Sequence, residues 1–200
     1  MPPDHLLEEI PVAVEGIVDE AVLSRILRDF GVRPFPVFGK KGCANLDGRL
    51  AGFNNAAARS PWIVLRDLDN GGRCPVTFAR QLIPSPATGM VFRIVVNEIE
   101  AWLLADSRSI STFLGVSEVL VPQQPETIQD PKHELVKLAA RSRFRRIRED
   151  LSPRLGSGIS QGPAYASRLI EYVETTWSPS CAQLRAPSLM SFRNRLSLLA

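Results

Sequence analysis

Four short apolar runs, Ile10–Val14, Val32–Phe38, Pro61–Leu65 and Met90–Val96, alternate with stretches of helical periodicity along the first half of this chain. Such alternation folds as a mainly parallel sheet with right-handed crossovers. After the first run, Val22, Leu23, Ile26, Leu27 and Phe30 recur at helical spacing until Gly31, which predicts a left-handed cap. Pro34 and Pro36 cannot donate to a ladder, so the second run belongs at a sheet edge or a bulge. Further helices are expected over 44–58, with Leu46, Leu50 and Phe53 inward, and over 75–83. With 44% hydrophobic residues, 200 residues supply a core for one domain, or one with a modest extension.

Asn97 reads as an N-cap with Glu100 at the third helical position, a capping box. Beyond Asp106 the pattern changes: Pro122, Gln123, Gln124 and Pro125 mark a loop, and helices are expected near 133–148, 163–175 and 187–199. The reading is an α/β core over 8–106, Rossmann-like in architecture, with a helical extension over 107–200 packed on it.

Acidic residues stand where two of the runs end. One set is Val12-Ala13-Val14-Glu15-Gly16 followed by Asp19; the other is Trp62-Ile63-Val64-Leu65-Arg66-Asp67-Leu68-Asp69. A carboxylate just past a strand's carboxyl end lies at the mouth of an open α/β sheet, where ligands bind. Extended backbone sends residues i and i+2 to one face, so Asp67 and Asp69 are expected to point at one metal. Glu15 alongside them would gather three negative charges, which repel unless a cation neutralises them. Oxygen-only ligands favour Mg²⁺ or Mn²⁺ over Zn²⁺. The competing reading is local: Asp19 suits the first turn of any helix, and 67–72 has the composition of an acidic turn. Glu98 and Glu100 could likewise project toward the metals or simply favour a helix start.

The charge balance, 24 basic against 21 acidic residues with a pI near 9.0, permits nucleic acid without announcing it. Twenty of the basic residues are arginine, suited to bidentate contact with phosphate or carboxylate. Lys40 and Lys41 sit in Gly39-Lys40-Lys41-Gly42, a loop where an ammonium could meet a phosphate, although a Walker spacing is absent. The run from Arg141 to Arg148 offers Arg143, Arg145 and Arg146 to a nucleic-acid backbone, or else forms a solvated helix face with Phe144 and Ile147 inward. Cys43, Cys74 and Cys181 are too far apart for a zinc motif or a disulfide framework. The first residues lack a basic n-region and no apolar run approaches the ~20 residues of a membrane span, so the expectation is a cytoplasmic protein with no membrane partner.

Glu15 and Asp67-Leu68-Asp69, in this order after the first and third strands, resemble the TOPRIM pattern of topoisomerases, primases, recombination proteins and OLD nucleases. The stretch from Glu15 to Leu23 looks most like the OLD-type and small standalone versions, and the resemblance covers about the first 105 residues. The rest is similar to a group of small bacterial proteins of unknown function carrying the segments found here as Glu98–Asp106, Asp130-Pro131-Lys132 and Gly162-Pro163-Ala164-Tyr165.

The TOPRIM resemblance implies divalent ions that catalyse phosphodiester cleavage of DNA or RNA, in phage defence or nucleic-acid processing, with gating by a partner protein open. Asp67 and Asp69 would hold metal, Glu15 would hold metal or act as general base, and Asp19 could complete a second position. Lys132, from the Asp130-Pro131-Lys132 segment of the second similarity, could neutralise transition-state charge, or Asp-Pro-Lys could simply be turn chemistry at a helix start. Tyr165 and Tyr172 are far in sequence from the acids, so hydrolysis by water is simpler than a covalent tyrosyl intermediate. Two other readings stand beside this one. A haloacid-dehalogenase-like phosphatase also places Asp-x-Asp after an apolar strand, and a non-catalytic module would bind nucleic acid or protein without using the acids.

Overall fold

A computed structural model describes residues 8–69, 73–154, 156 and 158–198. Residues 70–72 of the expected acidic turn, the N-terminal residues 1–7 and position 199 of the last expected helix lie outside the described residues. The chain divides into two compact units, one drawn from Met1–Arg66, Cys74–Ile94 and Arg193–Ala200, the other from Asp67–Arg73 and Val95–Phe192. The division runs through the ends of the third and fourth strands.

The first unit is an α/β layer structure. Strands β1 (Glu8–Val14), β2 (Val32–Gly39), β3 (Trp62–Asp67) and β4 (Met90–Val95) form one parallel sheet in the order β2-β1-β3-β4. The four apolar runs are these four strands. Helices α1 (Ile17–Arg28), α2 (Cys43–Asp47), α3 (Leu50–Ala57) and α4 (Pro75–Leu82) connect them. Ala13 and Val64 join a cluster with Leu46, Leu50, Phe53 and Trp62. Their pleat neighbours Val12, Val14, Ile63 and Leu65 are fully buried as well, so both sheet faces are covered, as a parallel sheet requires.

The prolines act as their chemistry demands. β2 is an edge strand, and its register with β1 shifts between Ile10 and Val12, opposite Pro34 and Val37. Gly31, at φ 69, follows α1 as the expected left-handed residue. The helix expected over 44–58 is instead two, α2 and α3, because the chain closes with Gly48 N–H on the Ala44 carbonyl and restarts after Arg49.

The second unit is helical around α5 (Ile99–Ala105), whose seven residues are all buried. Trp102 Nε1 donates to Ser188 Oγ at 2.8 Å, Trp177 Nε1 donates to the Trp102 carbonyl at 3.2 Å, and the Phe192 ring stacks on Trp102 at 5.9 Å. Around it lie α6 (Ser107–Leu114), α7 (Pro131–Ala140), α8 (Arg145–Leu151), α9 (Tyr165–Thr175), α10 (Pro179–Ala182) and α11 (Pro187–Leu196). The single helix expected over 133–148 is broken between α7 and α8. There Ser142 Oγ accepts from Phe144 N–H, and Arg143 N–H donates to the Gly115 carbonyl, so local bonds replace the helical ladder. No helix among the described residues is long and apolar enough to cross a membrane.

Candidate carboxylate and lysine site

In the first unit, β1 delivers Glu15 and Gly16 to the start of α1. Glu15 Oε1 accepts from Arg66 Nη1 at 3.0 Å. The same guanidinium grips Asp47 with two bonds, Nε to Oδ1 at 3.0 Å and Nη2 to Oδ2 at 3.3 Å, and lies over the Phe78 ring. Arg66 is 5% exposed, so this fork is largely withdrawn from solvent. Sequence reading overlooked both Arg66 and Asp47; the available signal was an arginine inside an otherwise apolar strand. Asp19 is buried in the first turn of α1, and a Cβ on Gly16 would stand 2.9 Å from Asp19 Oδ2, so glycine there leaves the carboxylate its room.

The lysine loop is tied down by its backbone. Lys40 N–H donates to the Val14 carbonyl at 2.9 Å and Gly42 N–H to the Glu15 carbonyl at 3.1 Å. Lys40 Nζ pairs with Glu20 at 3.1 Å, while Lys41 is exposed.

In the second unit the exits of β3 and β4 run side by side. Leu68 N–H donates to the Val95 carbonyl at 2.9 Å and Asp69 N–H to the Asn97 carbonyl at 3.1 Å. Asp67 is the last residue of β3, but Asp69 takes φ 52. The strand ends at Asp67, so pleat alternation does not by itself set the direction of the Asp69 side chain. Asn97 is also left-handed, at φ 61, a conformation that Asn and Asp tolerate best among non-glycine residues. Its side chain donates to the carbonyls of Glu126 and Ile128 rather than capping α5; Glu98 holds the N-cap position, so the capping box is not formed.

Glu98 and Glu100 then meet the start of α7 and the start of α9. Glu98 Oε2 accepts the Lys132 backbone N–H at 3.0 Å, beside Asp130, which caps the same helix through His133 N–H at 2.7 Å. Glu100 is 3% exposed, and its Oε1 accepts from the Tyr165 hydroxyl at 3.0 Å. Lys132 Nζ stands 4.0 Å from Glu98 Oε1 and 3.8 Å from Glu100 Oε1. Glu100 Oε2 is buried with no hydrogen-bond partner among the described residues. Burial pushes the Glu98 carboxyl above the usual carboxylate range, and the Glu100 charge adds to that against the pull of Lys132. Burial first and the Glu100 charge second push the Tyr165 hydroxyl far above its ordinary value, so it remains a proton donor.

The three segments singled out in the second half of the sequence are thus brought to one place. No family model matches the chain, and neither does any curated protein or solved structure. What the site can hold has to be read from its own donors. Among the described residues, no group of three or more His, Cys, Asp or Glu side chains is placed to hold a metal ion. Mg²⁺, however, commonly takes one or two carboxylates and completes its shell with water and substrate phosphate. Glu98 and Glu100 offer oxygen alone, the Lys132 ammonium already stands within 4.0 Å of both, and the buried Glu100 Oε2 is an acceptor with no hydrogen-bond donor among the described residues.

The basic run is divided by the break before α8. Arg143 lies over the Phe144 ring at 4.9 Å; Arg145 and Arg146, 83% and 84% exposed, face Glu149 and Asp150 one turn on. Ile147 is buried as expected, whereas Phe144 is 42% exposed and does not enter a core. Cys43, Cys74 and Cys181 are free thiols.

Proposed function

We propose that this chain hydrolyses phosphodiester bonds of DNA or RNA with the help of Mg²⁺ or Mn²⁺, on a TOPRIM-like version of the parallel α/β core. The observation that carries the reading is the convergence of Glu98, Glu100 and Lys132 beyond β4, alongside the β3 exit with Asp67 and Asp69. Carboxylates, an ammonium and a buried acceptor lacking a donor form a set suited to a hydrated divalent ion and a phosphate. When bound, such an ion polarises a phosphoryl oxygen and acidifies its water. The chain's own residues bind and orient: Glu98 and Glu100 hold the ion, Tyr165 fixes Glu100 through its hydroxyl, and Lys132, with 38% of its side chain exposed, can reach a phosphate. On this reading the exposed Arg143, Arg145 and Arg146 meet further phosphates, Arg145 and Arg146 leaving Glu149 and Asp150 to do so.

The test is nucleic-acid cleavage with Mn²⁺ for the parent, Glu100→Gln and Asp69→Ala. Glu100→Gln is expected to lose at least about a hundredfold in rate, of the order reported for removal of a charge-stabilising group, and chelation should abolish cleavage. Undiminished cleavage by Glu100→Gln would sink the reading. A non-catalytic nucleic-acid-binding module has one observation in its favour, the Arg66 guanidinium that already neutralises Glu15 without a cation. On that reading, binding is indifferent to chelator and no variant alters cleavage.

A further inference from the structure

We infer that the exposed Phe144 ring is a stacking platform for an unpaired nucleobase, and that the arginines beside it receive phosphates of the same single strand. The inference rests on the nucleic-acid part of the reading above and names its substrate class. It needs no cation and shares no residue with the Glu98, Glu100 and Lys132 site.

Helical periodicity would bury Phe144, yet the break between α7 and α8 leaves it 42% exposed. Single surface apolar residues are common, but this one is held firmly in place. Its N–H donates to Ser142 Oγ at 2.9 Å, and Ser142 is itself buried, with its carbonyl bound by Arg148 Nη1 at 2.5 Å. The neighbouring Arg143 N–H donates to the Gly115 carbonyl at 3.1 Å. Gly115 ends α6 in the left-handed region at φ 67, and a Cβ there would stand 2.4 Å from the Phe144 ring, so only glycine leaves the ring its place. An aromatic ring already fixed at the surface loses little freedom when a ligand stacks on it.

The charges around the ring suit a strand. Residues 141–150 hold five arginines and two acids. Glu149 is met by Arg145 at 2.7 Å and Asp150 by Arg168 at 2.7 Å, so both acids are already answered. The side chains of Arg141 and Arg143 have no hydrogen bond or ion pair among the described residues. The Arg143 guanidinium rests over the Phe144 ring, 4.9 Å from its centroid. An exposed cation–π contact is weaker than the stacking of a base on an aromatic ring, so the base takes the ring and the guanidinium turns to a phosphate of the strand. A duplex keeps its bases paired and stacked on one another, and offers the ring no such face.

The experiment is fluorescence anisotropy of the full chain, with chelator present, using a labelled oligothymidine single strand and a labelled duplex of equal length. The proteins are the parent, Phe144→Leu and Phe144→Trp. The parent should bind the single strand more tightly than the duplex. Phe144→Leu keeps an apolar side chain and every charge; it should lose roughly tenfold on the single strand, within the range for one stacked base, and nothing on the duplex. Phe144→Trp should bind at least as well as the parent, and its added indole should lose emission on the strand, whereas Trp62, Trp102 and Trp177 are buried. That quenching carries the test if the leucine variant does not fold. Equal single-strand binding by the parent and Phe144→Leu, a parent that prefers duplex, or an added indole whose emission the strand leaves unchanged overturns the platform. Cleavage assayed with Mn²⁺ on the same proteins separates the two readings: a parent that cleaves but fails these tests loses only the platform, and one that passes them without cleaving loses only hydrolysis. No binding to either nucleic acid, with chelator or with Mn²⁺, overturns both.

Discussion

Arg66 is a cation set in a strand whose preceding residues, Trp62 to Leu65, are apolar and buried, and it survives there because two carboxylates meet it. Glu15 and Asp47 in turn depend on it. Removing one partner from a buried ion pair leaves uncompensated charge, which costs about 3–5 kcal/mol, whereas replacing the whole group by neutral residues can be nearly neutral. Arg66→Met is therefore expected to lower stability by about 3 kcal/mol. Adding Glu15→Gln and Asp47→Asn to that variant should recover most of the loss. Urea midpoints at constant slope measure both. A single variant as stable as the parent would show that the fork contributes nothing. The sequence had marked Glu15 as an acid at a strand end but could not show its partners: Arg66 lies 51 residues away, and spacing carries no information about which side chains meet across a sheet.

At the level of elements, β2 leaves the sheet through Gly39, at φ 92, and a Cβ there would stand 2.1 Å from the Val14 carbonyl oxygen. That oxygen also accepts the Lys40 N–H, so the loop carrying Lys40 and Lys41 is laid against the end of β1. Gly39→Ala meets both a left-handed backbone and a clash with fixed atoms. It should cost at least about 2 kcal/mol, within the range for strained backbone of this kind. Gly42→Ala, where a Cβ would meet nothing within 4 Å but the backbone is also left-handed at φ 80, should cost less. Equal losses in thermal midpoint would show that close approach at Gly39 is unimportant. β1, β3 and β4 were legible because each is a short, largely buried apolar run, and β2, whose residues other than Val32 are not buried, was legible as an edge strand through its prolines. The helix breaks are not legible in periodicity: apolar spacing runs through Gly48, and the Ser142 bond to Phe144 N–H depends on a side chain that helical periodicity does not weigh.

Across the whole molecule, long-range pairing decides what composition cannot. Glu98 and Lys132 are 34 residues apart and Glu100 and Tyr165 are 65 apart, so the candidate site was legible as separate segments and not as one place. The same holds for Asp29, which pairs with Arg25 one turn earlier and with Arg193, 164 residues later. Burial alone would raise the Asp29 carboxyl, but hydrogen bonds from Arg25 and Arg193 outweigh it and bring it below the ordinary value. A carboxyl that is more acidic in the folded chain than in the unfolded one stabilises above the unfolded value, about pH 4, and loses that contribution as pH falls through the folded value. Asp29→Asn should therefore be less stable than the parent at pH 7, and the two should converge as acid protonates Asp29. Arg193→Ala should retain the Arg25 share and fall between them. Urea midpoints from pH 7 to strong acid read the difference directly. Parallel curves for parent and Asp29→Asn would mean that the link between α1 and the last helical turns holds no pH-dependent stability.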